Sequence, residues 1–271
     1  NQAYMTKTEK ILNNFSIFRF FTRRYRLSQM RKRMHQNGEF VTPAFVYQMG
    51  KVASMSVYRS LRPQYRGVSV HGHRLLGPGN HQNERQELLY ELWKEEGFPI
   101  KIISMFRDPI SRNFSSFFQG FKIWTGQEVA NTNLTAEECY QFFMDNYPHY
   151  AGAGFFDNRF KPYFGLDVYE EPYNGTGHQF YKKGQVEMLL MRFDLENSKK
   201  EELISEYLGM DSFRITNQNI GSNKAYAHLY KGMKAMKVSV EYLDGLLSTK
   251  YVKHFFSEAE IQEIRQKWSR N

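Results

Sequence analysis

The chain has little of what usually stabilises secreted and membrane proteins. It contains one cysteine, Cys139, which excludes an internal disulfide and favours a reducing compartment. No apolar run approaches the ~20 residues of a membrane-spanning helix, and the residues given contain no secretory signal. N-glycosylation sequons occur at Asn14, Asn113, Asn133 and Asn174, and we interpret them as chance occurrences. We therefore expect a cytoplasmic protein, bacterial in style.

The chain also lacks a linker rich in Ser, Gly or Pro, a low-complexity tract and an internal repeat. Its 271 residues suffice for one large α/β domain or two small ones. The simpler interpretation is a basic N-terminal helical segment over residues 1–40, followed by a single domain over residues 41–271. Residues 145–185 are rich in Gly, Pro, Asn and Tyr and predict an irregular insertion within that domain.

Positive charge is in excess, with a net charge of +9, and it concentrates near the start of the chain. Such a charge attracts polyanions, among which nucleic acid, acidic glycan and anionic lipid all qualify. Arginines interleaved with aromatic residues over residues 6–36 predict a basic amphipathic helix or a helical pair. This segment either packs through its aromatic face and leaves a solvated basic face, or contacts a membrane surface or a partner.

Apolar runs and turn signals predict a coarse series of strands and helices. The runs predict strands over residues 44–48, 68–73, 100–106 and 185–193. Thr135 and Glu138 form the signature of a capping box before a helix. The pattern of the tail from Val238 to Trp268 is that of an amphipathic helix, which favours a role in the core.

Two strand–loop–helix corners lie about fifty residues apart. In the first corner, residues 47–56, Gly50 permits a tight turn and close approach of the backbone to a ligand. Lys51 supplies a cation, and two serines lie near the helix start, where backbone N–H groups point towards the loop. The features fit an anion-binding loop or an ordinary turn with a solvated lysine. The loop is not a Walker A motif, because the second glycine is missing.

The second corner, residues 107–115, also follows an apolar run. Arg107 stands at the strand end, where ligands gather in open parallel sheets. If the helix begins near Pro109, Ser115 lies two turns in, where its hydroxyl can share an anion with the forked guanidinium. The alternative is a local ion pair between Arg107 and Asp108.

Together the corners resemble the sulfotransferases that use 3′-phosphoadenosine 5′-phosphosulfate (PAPS). Gly50-Lys51-Val52-Ala53-Ser54 stands where that family commonly has Pro-Lys-x-Gly/Ala-Thr/Ser. Arg107-Asp108-Pro109-Ile110-Ser111-Arg112 followed by Ser115 looks like the R-D-P-x-x-R-x-x-S form of carbohydrate sulfotransferases. The departures are Gly50 for proline and Met55 for the usual second hydroxyl. The resemblance implies an α/β, P-loop-like parallel sheet flanked by helices, the sulfotransferase fold.

The same resemblance implies a role for each corner. The 5′-phosphosulfate of PAPS is expected at Gly50, Lys51, Val52, Ala53, Ser54, Met55 and Ser56. Arg107 and Ser115 are expected to hold the 3′-phosphate, together with Lys224 from a polar loop late in the chain. The alternative for that loop is an ordinary connection before a helix. Lys51 would also neutralise charge on the leaving phosphate. The product would be adenosine 3′,5′-bisphosphate (PAP), and this chemistry requires no metal.

A pair of histidines, His71 and His73, ends the predicted strand over residues 68–73. Residues two apart in a strand point to one face, so both imidazoles are expected in one cleft. Without a third convincing ligand nearby they make a weak zinc site, and either histidine alone is by default structural. The His-Gly-His segment resembles the catalytic segment of uronyl 2-O-sulfotransferases, which implies His73 as the base and His71 as its helper. The next candidates for the base are His149 and a carboxylate of residues 145–185.

The chain is also similar to bacterial proteins of capsular polysaccharide synthesis, in the stretch Asp157–Tyr169 and in its tail. The two resemblances predict sulfuryl transfer to an acceptor hydroxyl, which they favour as that of a carbohydrate or glycolipid. A P-loop-like kinase is an alternative, but it needs a Walker A loop and magnesium ligands, and neither is found in the sequence. A basic polyanion- or membrane-binding module is another, and it leaves the two matched corners unexplained.

Overall fold

The structure is a computed structural model that describes residues 7–73, 84–216 and 226–269, with side chains from residue 20 onward. Its strands are β1 His35–Gln36, β2 Glu39–Phe40, β3 Ala44–Tyr47, β4 Ser69–Gly72, β5 Ile100–Phe106, β6 His178–Lys183 and β7 Val186–Arg192. Its α-helices are α1 Lys7–Met34, α2 Ser54–Gln64, α3 Glu84–Tyr90, α4 Pro109–Gln119, α5 Phe121–Thr125, α6 Ala136–Asn146, α7 Lys161–Phe164, α8 Asn197–Leu208, α9 Ala227–Ala235, α10 Val240–Leu247, α11 Lys250–Phe255 and α12 Glu258–Trp268. Short π-helical turns cover Glu91–Glu95 and Phe156–Phe160, and a 3₁₀ turn covers Val129–Asn131.

The central sheet has five strands in the order β4-β3-β5-β7-β6. Strands β4, β3, β5 and β7 run parallel, and β6 pairs with β7 in the antiparallel sense. Helices separate the parallel strands along the chain, as parallel pairing requires. The prediction of an α/β protein with a parallel sheet flanked by helices is therefore confirmed.

The two faces of the sheet are covered differently. On one face, the rings of Phe45 and Tyr47 contact Phe155, Phe160 and Phe164, which come from the stretch predicted as an insertion. These rings are buried, so they form core packing. On the other face, helix α2 packs on β4, where Tyr58 contacts His71.

The irregular structure predicted for residues 145–185 is wrong in part. The stretch contains helix α7 and ends in strand β6, whose buried residues Gln179 and Tyr181 alternate with more exposed ones. This alternation is the signal of a half-buried strand, and the surrounding glycines and prolines masked it. The tail differs too, because it forms three short helices, each begun by its own capping hydroxyl: Ser239, Thr249 and Ser257.

Helix α1 confirms the predicted N-terminal helix as one helix rather than a pair. The predicted packing through an aromatic face is wrong for its described residues, because Phe20, Phe21 and Tyr25 are exposed. Its last turns bury Leu27, Met30 and Met34 in the core. Ion pairs also join it to the α3 region: Arg23 with Glu91, Arg26 with Glu84, and Arg31 with Glu96. This end of α1 therefore caps the core. Among the helices that the structure describes, none has the length and apolarity needed to cross a bilayer.

Candidate functional site

The two corners meet at the point where the order of the sheet reverses. From β3 the chain crosses to β4 on one side, while β5 pairs with β3 on the other side and leads on to β7. Because β3 and β5 are parallel, their carboxyl ends lie at the same edge. Open α/β sheets bind ligands in the crevice at such a switch point. The predicted strand–loop–helix geometry is present at both corners.

The backbone of the first corner is strained at Lys51 and Ala53. Both have left-handed conformations, with φ angles of 73° and 60°. Each costs a non-glycine residue about 1–2 kcal/mol, a strain that proteins tend to keep at functional sites. Gly50 is outside the left-handed region and a Cβ there would meet nothing within 4 Å. The tight turn predicted for Gly50 is therefore made by its neighbours, while the open space beside Gly50 remains available for close approach.

Helix α2 begins at Ser54 directly after this strained loop. It has no side-chain cap and no acidic residue in its first turn, so its positive end is not neutralised locally. Val52 and Ser54 are buried, whereas Met55 and Ser56 are half-buried and Ala53 is exposed. The predicted members of the loop thus lie together at one helix N-terminus.

The second corner is held by Asp108, which caps helix α4. Its Oδ1 accepts hydrogen bonds from the backbone N–H groups of Ile110 and Ser111, at 2.9 and 3.4 Å. Its Oδ2 accepts from the Ser111 hydroxyl at 2.6 Å and from the Trp268 indole N–H at 3.4 Å. The alternative of a local Arg107–Asp108 ion pair is therefore wrong, because the carboxylate is committed to the helix and to Trp268.

Arg107 points back across the switch point to the first corner. Its Nη1 donates to the carbonyl oxygen of Lys51 at 3.0 Å, and its guanidinium carbon lies 4.2 Å from the centre of the Phe193 ring. The Tyr251 hydroxyl accepts from the Arg107 N–H at 2.9 Å and donates to the Arg107 carbonyl at 2.7 Å. Tyr230 also lies close enough to Arg107 for each side chain to shift the pKa of the other. Burial lowers the pKa of the Arg107 guanidinium, whereas the nearby Tyr230, Asp108 and Tyr251 raise it.

Arg112 makes the second link between the corners. Its Nε donates to the carbonyl oxygen of Gly50 at 3.2 Å. Its Nη1 donates to Asn113 Oδ1 at 3.1 Å and to the Tyr147 hydroxyl at 2.9 Å. Arg112 stands in the motif of the second corner, but this role of its side chain was not predicted from the sequence. The available signal was its place one helical turn after Asp108, on the first turn of α4 that faces the loop.

Both arginines lack a carboxylate partner in the part of the chain that the structure describes. Their side-chain hydrogen bonds go to backbone carbonyls, to Asn113 and to Tyr147, all of which are neutral. Only 9% of Arg112 is exposed. A buried cation without a counter-ion raises the local potential, so this arrangement favours an anion at the switch point.

Ser115 lies in the second turn of helix α4, as the predicted helix start at Pro109 requires. It is half-buried and stands one turn after Ser111 and one turn before Phe118. That its hydroxyl shares an anion with Arg107 stays a prediction.

The two histidines share one face, as the sequence predicts. The rings of His71 and His73 are 4.8 Å apart, and His73 Nδ1 lies 2.8 Å from the carbonyl oxygen of Gln48. A carbonyl only accepts, so His73 Nδ1 carries the proton and Nε2 keeps the lone pair. Burial lowers the pKa of His73, the Gln48 bond raises it, and the charges of Arg112 and Lys51 lower it further. His73, still partly open to solvent, is thus held as a neutral base beside both corners.

His71 is the more enclosed of the two. Burial and the neighbouring His73 lower its pKa to about 4. Its carbonyl accepts from Gln86, and its ring contacts Tyr58 at 5.4 Å. Within the described residues no group of three or more His, Cys, Asp or Glu side chains converges.

Two further predicted residues have different outcomes. His149, the next candidate base, is engaged in packing: its Nδ1 lies 3.1 Å from the Tyr242 hydroxyl and its Nε2 lies 3.3 Å from the Met144 carbonyl. Asn113, the asparagine of one sequon, is fully buried, and its Nδ2 donates a hydrogen bond to the His149 carbonyl. Lys224 lies outside the described residues.

Comparison with known proteins gives one match. A family model described as "Putative capsular polysaccharide synthesis protein" matches residues 129–257, just under half of the chain. This confirms the second predicted resemblance over that stretch. No curated protein and no solved structure matches the chain. The matched stretch excludes both corners but contributes Tyr147, Phe193, Tyr230 and Tyr251, which contact the two arginines.

Proposed function

We propose that the protein is a PAPS-dependent sulfotransferase that transfers the sulfuryl group to a hydroxyl of a carbohydrate or glycolipid. The observation that carries this proposal is the pair of links between the corners. Arg107 and Arg112 of the second corner bind the Lys51 and Gly50 carbonyls of the first, with no acidic partner among the described residues. A ligand with phosphates at two ends requires two cationic sites held at a fixed separation.

Two details of the first corner support an anionic donor there. The Gln48 side chain is fully buried, and neither its Nε2 nor its Oε1 has a partner among the described residues. Buried polar groups are rarely left unpaired, so this amide favours a polar partner close to the first corner. A Cβ at Gly50 would meet nothing within 4 Å, which leaves room for a ligand against the backbone.

The residues then take distinct roles. The amides of the first corner, with Ser54 and Ser56, hold the 5′-phosphosulfate at the N-terminus of α2. Arg107 and Ser115 hold the 3′-phosphate, which distinguishes PAPS from ordinary nucleotides. Arg112 is a positioning residue that fixes the Gly50 carbonyl and hence the loop.

The donor supplies the sulfuryl group, which leaves the bridging oxygen of the 5′-phosphate and bonds to the acceptor oxygen in line. His73 takes the acceptor proton on Nε2, because its Nδ1 proton is committed to Gln48. Lys51 meets the negative charge that develops on the leaving phosphate, a preorganised interaction of about 3–4 kcal/mol. PAP then leaves as the second product.

The polysaccharide class of acceptor is supported by the family match alone. The match covers residues 129–257, which contribute side chains that contact Arg107 and Arg112, and its description refers to polysaccharide synthesis. The description of the matched family does not support a sterol, a phenol or a natural product as the acceptor. Screening acceptor classes with radiolabelled PAPS tests the choice.

The deciding experiment is calorimetry with PAP and with adenosine 5′-phosphate. In Arg107→Ala, PAP affinity should fall by about 2 kcal/mol or more, as for a lost charge-assisted pair, while adenosine 5′-phosphate binding barely changes. Arg214→Ala is the matched control, because Arg214 is exposed and pairs with Glu201 away from the corners. Equal losses for both nucleotides would remove the assignment of Arg107. Weak binding of both nucleotides by the wild type would favour the polyanion-binding module instead.

A further inference from the structure

Helix α1 exposes a group of neighbouring aromatic side chains. Phe21 and Tyr25 lie one helical turn apart, and each is 65% exposed. Phe20 is 54% exposed, and its ring contacts that of Phe21 with 5.8 Å between centroids. Single exposed aromatic residues are common on soluble proteins, whereas a contiguous group of them indicates an interaction surface.

The charge around these rings has one sign. Between Phe20 and Met34, helix α1 contains no acidic residue. The arginines that join α1 to the α3 region are neutralised there by glutamates. Three other exposed cations of the helix form no ion pair within the described ranges: Arg24, Lys32 and Arg33. The outer face of α1 is therefore both aromatic and cationic.

The same face continues into a cavity of about 360 Å³. Phe21, Tyr25, Gln29 and Arg33 are spaced four residues apart, so they form one row along the helix. Gln29 and Arg33 line the cavity, which α3 and the residue before β4 line on its other sides. The aromatic group and the cavity thus belong to one continuous surface.

The lining of this cavity combines apolar side chains with guanidinium groups: Met30, Val68, Leu88, Arg26, Arg33 and Arg85. Nη2 of Arg85 donates to the Ser69 carbonyl at 3.1 Å, but its Nε is buried and has no hydrogen-bond partner among the described residues. A buried donor on a cation favours an anionic acceptor, and phosphate oxygens suit a guanidinium. The cavity therefore offers room and donors for the phosphate of a lipid headgroup.

We propose that this face of α1, with the adjoining cavity, binds the surface of an anionic membrane. Aromatic rings partition into the boundary between headgroups and acyl chains, while lysine and arginine attract anionic lipids. A second copy of this chain fits the face less well, because it would bring two cationic surfaces together. The inference goes beyond the proposed function and depends on neither its donor nor its acceptor.

The test is sedimentation with vesicles of phosphatidylcholine, with and without phosphatidylglycerol. The wild type should bind the anionic vesicles, and more weakly as salt is added. The double variant Phe21→Ser, Tyr25→Ser should bind about tenfold or more weakly, because it removes the apolar area that enters the interface. The double variant Arg24→Gln, Arg33→Gln should lose at least about tenfold as well, since each cation near an anionic surface contributes about fivefold.

Matched controls come from other helices. Ile123 of α5 is 76% exposed, and Lys253 of α11 is exposed. Ile123→Ser and Lys253→Gln should bind the vesicles as the wild type does. All the residues substituted in these variants are exposed, so the fold should be preserved, which circular dichroism checks.

A second readout reports insertion directly. The single cysteine, Cys139, is buried, so Tyr25→Cys supplies one accessible thiol for an environment-sensitive fluorophore. Its emission should shift to the blue on anionic vesicles, whereas the same label in Ile123→Cys should not respond.

Three results would overturn the inference. Equal binding to vesicles with and without phosphatidylglycerol would remove the role of charge. Unchanged vesicle binding in the double variant Phe21→Ser, Tyr25→Ser, or no emission shift from Tyr25→Cys, would leave a surface for soluble polyanions. Light scattering that shows a dimer, which this double variant separates while the wild type ignores vesicles, would assign the face to a second copy.

Discussion

Replacing Arg112 by methionine should loosen the first corner without unfolding the protein. In the structure, this buried guanidinium donates to the Gly50 carbonyl, to Asn113 Oδ1 and to the Tyr147 hydroxyl, at 3.2, 3.1 and 2.9 Å. Methionine fills much of the same space but supplies none of these donors. The Gly50 carbonyl then loses the group that fixes it.

The expected magnitude follows from two opposing contributions. Hydrogen bonds from a charged donor contribute about 1.5–3 kcal/mol each, so three such bonds are a large stabilising contribution. Against this, burying a guanidinium that is 9% exposed and has no acidic partner among the described residues costs several kcal/mol, which the substitution returns. We expect a net loss of about 1–3 kcal/mol in the free energy of unfolding, below the typical stability of a domain.

Urea unfolding and PAP calorimetry together check this reasoning. Because the loop is no longer held, PAP affinity of Arg112→Met should fall at least about tenfold, which is about 1.4 kcal/mol of binding free energy. Tyr147→Phe is the matched control: it removes one of the three acceptors, should cost about 1 kcal/mol of stability, and should leave PAP affinity within about twofold. A folded Arg112→Met variant with wild-type PAP affinity would refute the positioning role. A stability loss of about 5 kcal/mol would instead refute the expected magnitude, because it would mean that burial of the charge costs little.

Other substitutions in the corners have equally specific outcomes. Gly50→Ala should keep or raise the free energy of unfolding by about 0.4–1 kcal/mol, because a Cβ meets nothing within 4 Å, yet it should weaken PAP binding; unchanged affinity would show that no ligand approaches this backbone. Lys51→Ala should lower turnover much more than PAP affinity, and the reverse pattern would make Lys51 a binding residue only. His73→Ala should abolish most turnover and spare PAP binding, with a smaller effect for His71→Ala. Since the pKa of His73 is lowered, wild-type activity should persist below pH 6.5 and fall as the pH drops through that lowered value; an acid limb centred at or above 6.5 would contradict the environment described for His73.

The sequence was most informative about strands at the centre of the sheet. The run over residues 100–106 became β5 with the predicted bounds, since a parallel strand covered on both faces is apolar at most of its positions, here all but Lys101 and Ser104. Helix α4 begins at Pro109 as predicted, because Asp108 caps it and proline suits its first turn. The edge strand β6 escaped prediction, since it is only half-buried and pairs with its neighbour in the antiparallel sense.

The two strand–loop–helix corners were predictable from the sequence, but the role of Arg112 and the connections between the corners were not. That Arg107 and Arg112 bind two consecutive carbonyls of the other corner depends on β3 and β5 being neighbours, which spacing alone does not fix. The left-handed conformations of Lys51 and Ala53 were equally hidden, because local propensity assigns them to glycine. Such conformations are imposed by the surrounding tertiary structure.

The bond between Tyr251 and Arg107 has a consequence for the order in which the protein becomes competent. One hydroxyl satisfies both the N–H and the carbonyl of Arg107, across 144 residues of chain. Contacts of such sequence separation form late and slow folding, because the loop between them must be closed first. On the ribosome, the second corner must wait for Tyr251 to emerge, long after its own helix has been made. Under the proposed function, nucleotide affinity of a nascent chain should therefore report completion of almost the whole fold.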